Sequence, residues 1–159
     1  MPAQNLTAGG VLGAIFGTLG LSALVMASSA QAATVTINGV VINLCTLTPV
    51  SGTMVVDTAG TTMTTESGTG AAPATLSVVA TGAAPTLTFT APVLSGPASG
   101  ATTEIRYTGS SANQGYTSAG SSASTSLIDL VTIHARVQSS TGFPSGSYAV
   151  TTTVTCGQS

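Results

Sequence analysis

From residue 33 onward the chain alternates apolar and polar positions. Leu76, Val78 and Ala80 alternate with Thr75, Ser77 and the less polar Val79. Leu87, Phe89 and Ala91 alternate with Thr86, Thr88 and Thr90, and Ile105 and Tyr107 with Glu104 and Arg106. Near the end, Tyr148, Val150, Val154 and Cys156 share one face, with Thr152 between them. A period of two sets one side of each strand on a core and the other in water. Threonine suits the wet side, being β-branched and still able to hydrogen-bond. Pro- and Gly-bearing turn signals at 49–52, 59–60, 68–73, 82–85, 95–100 and 142–146 separate the runs. No stretch holds a helical period over three turns. The nearest, 127–137, contains the β-branched Val131, Thr132, Ile133 and Val137. Seven or eight short strands at roughly ten-residue spacing predict an all-β antiparallel fold, a sandwich or a barrel. Residues 110–126, SSANQGYTSAGSSASTS, break the pattern and are expected to form a low-complexity surface loop.

The first thirty residues read differently. Residues 11–26, VLGAIFGTLGLSALVM, are uncharged and mostly apolar, and Ala30-Gln31-Ala32 has the small-x-small form of a signal-peptidase site. Residues 1–32 are therefore expected to be a signal peptide and 33–159 the mature domain. The leading MPAQNLTAGG has no Lys or Arg, which departs from the usual positively charged start. A retained membrane anchor is the competing reading, since residues 6–27 match the roughly 20 apolar residues a span needs. Membrane contact would then run through this segment only.

Composition narrows the function. Thr, Ala, Ser and Gly account for more than half of the 159 residues, and the only charged side chains are Asp57, Glu66, Glu104, Asp129, Arg106 and Arg136. Two scattered arginines and a net charge of -2 exclude a nucleic-acid footprint. Catalysis has little to work with. His134 is the one histidine, no Gly-x-Ser-x-Gly elbow occurs, and neither a calcium loop nor a phosphate-binding glycine loop is present. His134 reads as a strand residue beside Arg136, and Glu104 with Arg106 as a surface charge pair. No enzymatic activity, cofactor or metal is expected.

Two cysteines, Cys45 and Cys156, stand 111 positions apart. In an exported chain they form one disulfide, which requires the first and last strands to lie side by side.

Residues 33–49, ATVTINGVVINLCTLTP, carry the most information. Val35, Ile37, Gly39, Val41, Asn43, Cys45 and Leu47 line one largely apolar face. The other face is polar at Thr34, Thr36 and Asn38, then apolar at Val40, Ile42 and Leu44. The second half is therefore expected to be buried on both sides. This order, together with the closing run GSYAVTTTVT at 146–155, resembles chaperone–usher fimbrial subunits and the related spore-coat-U-like secreted domains. In those proteins a donor segment with an internal glycine leads into a first strand bearing a cysteine. They usually carry the second cysteine on a strand corresponding to residues 74–82, ATLSVVATG, which has none here. The resemblance implies an Ig-like sandwich that lacks one strand. The gap is filled by β-strand addition from another subunit, with Val35, Ile37, Gly39 and Val41 as the candidate donor face. A local alternative stands beside it: Asn38-Gly39 between TVTI and VVIN is a type I′ hairpin signal, which would make the domain self-contained.

Together these readings describe an exported, non-enzymatic structural protein of the periplasm, cell surface or medium, resembling a fimbrial subunit. Its expected partners are other copies of itself or another surface subunit, with a periplasmic chaperone as escort. The alternative is a self-contained secreted module that binds carbohydrate or a partner protein through Tyr107, Tyr116 and neighbouring loops.

Overall fold

A computed structural model describes residues 36–158. The signal-peptide and anchor readings, and Val35 of the donor face, fall outside those residues. The described residues form twelve strands and no helix, and every strand pairing is antiparallel. In chain order they are β1 (Leu44–Val50), β2 (Val55–Val56), β3 (Thr62–Thr64), β4 (Ala74–Thr81), β5 (Thr86–Phe89) and β6 (Val93–Ser95). There follow β7 (Thr102–Thr108), β8 (Asn113–Thr117), β9 (Ser121–Ser124), β10 (Ile128–Gln138), β11 (Ala149–Thr151) and β12 (Val154–Gly157).

The long β10 organises the larger sheet. Along one edge it pairs first with β4 (Val131 opposite Leu76) and then with β3 (Val137 opposite Met63). Along its other edge it pairs with β7, placing His134 opposite Arg106 and Arg136 opposite Glu104. β1 adds to β4, β2 to β3 and β8 to β7. The second layer joins β12 to β5 and β5 to β9, with β11 on β6. The pair β12–β5 is continued by β11–β6. Pro92, which has no backbone N–H to donate, lies where the ladder breaks. Threonines carry the connection there: Thr152 Oγ1 donates to the Thr90 carbonyl at 2.8 Å, and Thr153 N donates to Thr90 Oγ1 at 2.9 Å.

The inner faces meet where the period-two reading places them. Leu76, Val78, Leu87, Phe89, Ile105, Tyr107 and Val131 are buried in one cluster. The Phe89 and Tyr107 rings stack across the layers with centroids 4.0 Å apart. The disulfide between Cys45 on β1 and Cys156 on β12 fastens one side of the two layers, with Cα atoms 6.4 Å apart.

Two expectations need correction. Residues 110–126 are not one loop, since they contain β8 and β9. The Ser, Gly and Thr side chains of β8 and β9 bury little, and what orders these strands is pairing with β7 and β5 plus the Tyr107 Oη–Ser121 Oγ hydrogen bond of 3.0 Å. The second half of 33–49 is not buried on both sides: Val40, Val41, Ile42 and Leu44 are exposed, because no element of the unit covers them. The Asn38-Gly39 hairpin alternative lies partly outside the described residues, at 34 and 35. Residues 39–43 belong to no strand, and β1 begins only at Leu44.

Candidate functional site: an open groove between the layers

β1 pairs only with β4, and β11 and β12 pair only with β6 and β5. Each therefore presents one unpaired edge along the seam where the two layers come together. The disulfide closes that seam at its Cys45–Cys156 end. Toward Val50 and Tyr148 it stays open as a groove of about 880 Å³. Its floor is the inner face of the larger sheet at Leu76, Ile105, Ile133 and Ala135. Val150 and Val154 form one wall, and Pro49, Val50, Met54 and Val56 the other. Phe143 packs edge-to-face on Tyr148 at 5.5 Å and, with Met63, lines the groove as well.

Local sequence shapes this opening. The turn after β1 passes so close to residues 72–74 that a Cβ on Gly52 would lie 2.5 Å from the Ala74 nitrogen, so only glycine fits. The Tyr148 hydroxyl donates to the Pro144 carbonyl at 2.7 Å and ties down the rim loop. From Tyr148 to Val154 the wall offers roughly 20 Å of extended backbone, room for a strand of about six residues. Unpaired main-chain groups beside an apolar trough can bind an extended peptide, through a ladder on the edge and side chains in the trough.

The structure also presents an apolar extended segment without a partner. Ile37 is 92% exposed, Val40 89%, Val41 79% and Ile42 75%. No Cβ placed on Gly39 would meet another atom within 4 Å. The segment is first held at Ile42, whose carbonyl accepts from Thr81 Oγ1 at 3.1 Å, and at Asn43, whose Oδ1 accepts from Ala83 N at 3.4 Å.

The other candidate residues lie elsewhere. Tyr107 is fully buried and stacked on Phe89, so it cannot serve as a surface contact. Tyr116 sits on the outer face of β8 in a cluster that holds four of the six charged residues. Arg106 pairs with Glu66, and Arg136 with Glu104 at 2.7 Å, so Glu104 and Arg106 do not pair with each other as expected. The reason is register: the cross-strand neighbours of Arg136 and the chain after β3 bring closer carboxylates than the i, i+2 neighbour does. The Arg136 guanidinium lies 4.1 Å above the Tyr116 ring. Burial pushes His134 below the usual imidazole range and Arg106 pushes the same way, against the opposing pull of Glu66. Burial acts to raise Glu66, but the hydrogen bond and charge of Arg106 outweigh it and hold that carboxyl low. Tyr116 is raised by burial and by the Glu66 carboxylate. Its hydroxyl is buried close to Glu66 and Arg106, yet its geometry makes a hydrogen bond with neither.

Such a network is tied up internally. His134 Nδ1 lies 3.3 Å from Thr65 Oγ1, a buried hydroxyl engaged with the Ala135 backbone. Among the described residues no three His, Cys, Asp or Glu side chains gather as metal ligands. Removing the unpartnered hydroxyl tests the structural role of the cluster. Tyr116→Phe is expected to leave stability unchanged or raise it by up to about 1 kcal/mol, because a buried donor without a partner is itself a cost. Urea unfolding checks this, and a loss of about 1 kcal/mol or more would mean the hydroxyl has a partner. No protein-family model matches the chain, nor does any curated protein or solved structure.

Proposed function

We propose that the chain is an exported, non-enzymatic surface subunit: an Ig-like sandwich lacking one strand, which assembles by β-strand addition. The observation that carries this reading is an open apolar groove with unpaired edges in the same chain as an unpaired apolar segment at 37–42. The alternate residues Ile37, Gly39 and Val41, with Val35 before them, would face the trough while Thr36 and Asn38 faced water. The disulfide supports an oxidising compartment, in keeping with a cleaved signal peptide at 1–32. A periplasmic chaperone would cover the groove before assembly.

Reach supports a neighbour's segment over the chain's own. The segment runs into β1 at Leu44, whereas the groove opens at the Val50 end, about 20 Å of strand away. A turn back at Asn38-Gly39 would return the chain only alongside residues 40–44. The groove is therefore filled by another copy or another subunit. A donor on one end and an acceptor on the other make a head-to-tail contact, which propagates as a fibre unless its rotation closes a ring.

The test adds a synthetic peptide of residues 33–44 to mature protein and measures unfolding. At a hundredfold excess over its Kd, a peptide that binds only the folded state adds about 2.7 kcal/mol. The same peptide with Ile37→Asp and Val41→Asp is expected to add nothing. A stable monomer that ignores the native peptide would overturn strand addition and favour the self-contained binding module.

A further inference from the structure

Asn38-Gly39 carries the strongest hairpin signal in the chain, yet the described residues on either side of it, 36–37 and 40–43, lie in no strand. Asn38 and Gly39 are both exposed, residues 36–43 lie outside every strand, and Gly39 has open space where a side chain would be. An asparagine followed by glycine in such a setting is chemically reactive. The backbone nitrogen of the following residue can reach the side-chain carbonyl when the backbone rotates freely, and glycine removes the steric barrier to that rotation.

We propose that Asn38-Gly39 is a self-modification site that limits how long an unassembled chain can donate its segment; the second half of this statement rests on the strand-addition reading above. The Gly39 backbone nitrogen attacks Asn38 Cγ and forms the C–N bond of a five-membered succinimide. The Cγ–Nδ2 bond breaks, and the side-chain nitrogen leaves as ammonia with the Gly39 amide proton. Water then opens the ring at either carbonyl. One route gives aspartate at 38. The other gives isoaspartate, in which the main chain runs through the former side-chain carbon and gains one backbone atom.

The two products differ in consequence. In a docked strand the side chain at 38 faces water, so an ordinary aspartate is tolerated there. The additional backbone atom of isoaspartate breaks the period of two, so that either Ile37 or Val41 leaves the trough. Docking in turn blocks the reaction, because a ladder holds residues 38 and 39 extended and the nitrogen away from Cγ. Assembled subunits are protected, and subunits left waiting lose the ability to donate.

The experiment incubates purified mature protein at pH 8 and follows the peptides that contain Asn38, Asn43 and Asn113 by mass spectrometry, with an isoaspartate methyltransferase assay as a second readout. Conversion is expected at Asn38 and not at Asn43 or Asn113. Gly39→Ala is expected to slow it by about tenfold, since a Cβ removes the glycine-only conformations. Conversion at all three asparagines alike, or no change in Gly39→Ala, would overturn the site. For its consequence, peptides 33–44 carrying Asn, Asp or isoaspartate at 38 are compared as donors. Asn and Asp peptides are expected to stabilise the domain and the isoaspartate peptide to lose that effect. Equal action of all three would overturn the time limit while leaving strand addition standing. Failure of all three would overturn both strand addition and the time limit, and leave the chemical site to the mass measurement.

Discussion

Replacing Cys156 by serine is expected to lower the unfolding free energy by about 4–5 kcal/mol. The bond spans 111 positions, so its loss returns nearly a whole domain's worth of loop freedom to the unfolded state. Domains of this size hold only about 5–15 kcal/mol in total. The native side of the balance points the same way. β1 and β12 are edge strands of different layers with no ladder between them, and the disulfide is the covalent tie across their seam. Burial is modest here: β1 has no fully buried residue, and both cysteines are only half-buried. Cys45→Ala/Cys156→Ala and the reduced wild type are expected to match Cys156→Ser in urea unfolding. A loss below about 1 kcal/mol would show that loop closure contributes little to this domain.

How much of this was readable in advance depends on what each residue buries. Leu76, Val78, Leu87, Phe89, Ile105 and Tyr107 were legible because alternation and burial coincide: each apolar side chain stands on the inner face that its parity assigns. The disulfide was legible from the expectation of export together with the presence of two cysteines. β8 and β9 were not, because their order comes from long-range pairing. Nothing in NQGYT or SSAS advertises a buried face. The second expectation for Tyr107, as a surface contact, fails for a related reason. Its hydroxyl suggested a surface contact, but a single hydrogen bond to Ser121 is enough to let the ring enter the core.

The groove was foreshadowed only by a family resemblance and could not have been placed from the chain. Its floor comes from β4, β7 and β10 and its walls from β1, β2, β11 and β12, which no local pattern links. The donor segment was legible as an apolar alternating run, but its exposure was not. Sequence hydrophobicity there predicts burial, and the structure offers it no cover within the unit. The salt-bridge partners depended on strand register, a property set by the whole sheet.

Asp129→Ala is the second large loss expected, about 3–4 kcal/mol, together with a change in pH dependence. Asp129 is 6% exposed on the inner face of β10, a costly place for a carboxylate unless its oxygens are satisfied. They are. Ser110 N donates to Oδ1 at 2.9 Å and to Oδ2 at 3.1 Å, Ser110 Oγ donates to Oδ1 at 2.9 Å, and Thr125 Oγ1 donates to Oδ2. One side chain thus fastens the turn after β7 and the segment before β10. Alanine would leave those donors without an acceptor, at about 1–3 kcal/mol for each that stays buried. Burial acts to raise the Asp129 carboxyl, but the hydrogen bonds from Thr125 and Ser110 outweigh it and hold the group below the usual carboxylate range. The sign follows. A folded pKa below the unfolded value of about 3.9 means stability that is fully present above that value and is lost as pH falls through the folded pKa. Wild type should therefore weaken below about pH 4 as this network takes up a proton. Asp129→Asn keeps the shape without the charge. It is expected to cost less than alanine near neutral pH and to flatten the acid limb, leaving the shallower slope of the surface carboxylates Asp57 and Glu66, which are also held low. Urea unfolding of both variants between pH 3 and 7 measures this. An acid limb in Asp129→Asn as steep as that of wild type would show that the buried carboxylate does not set it.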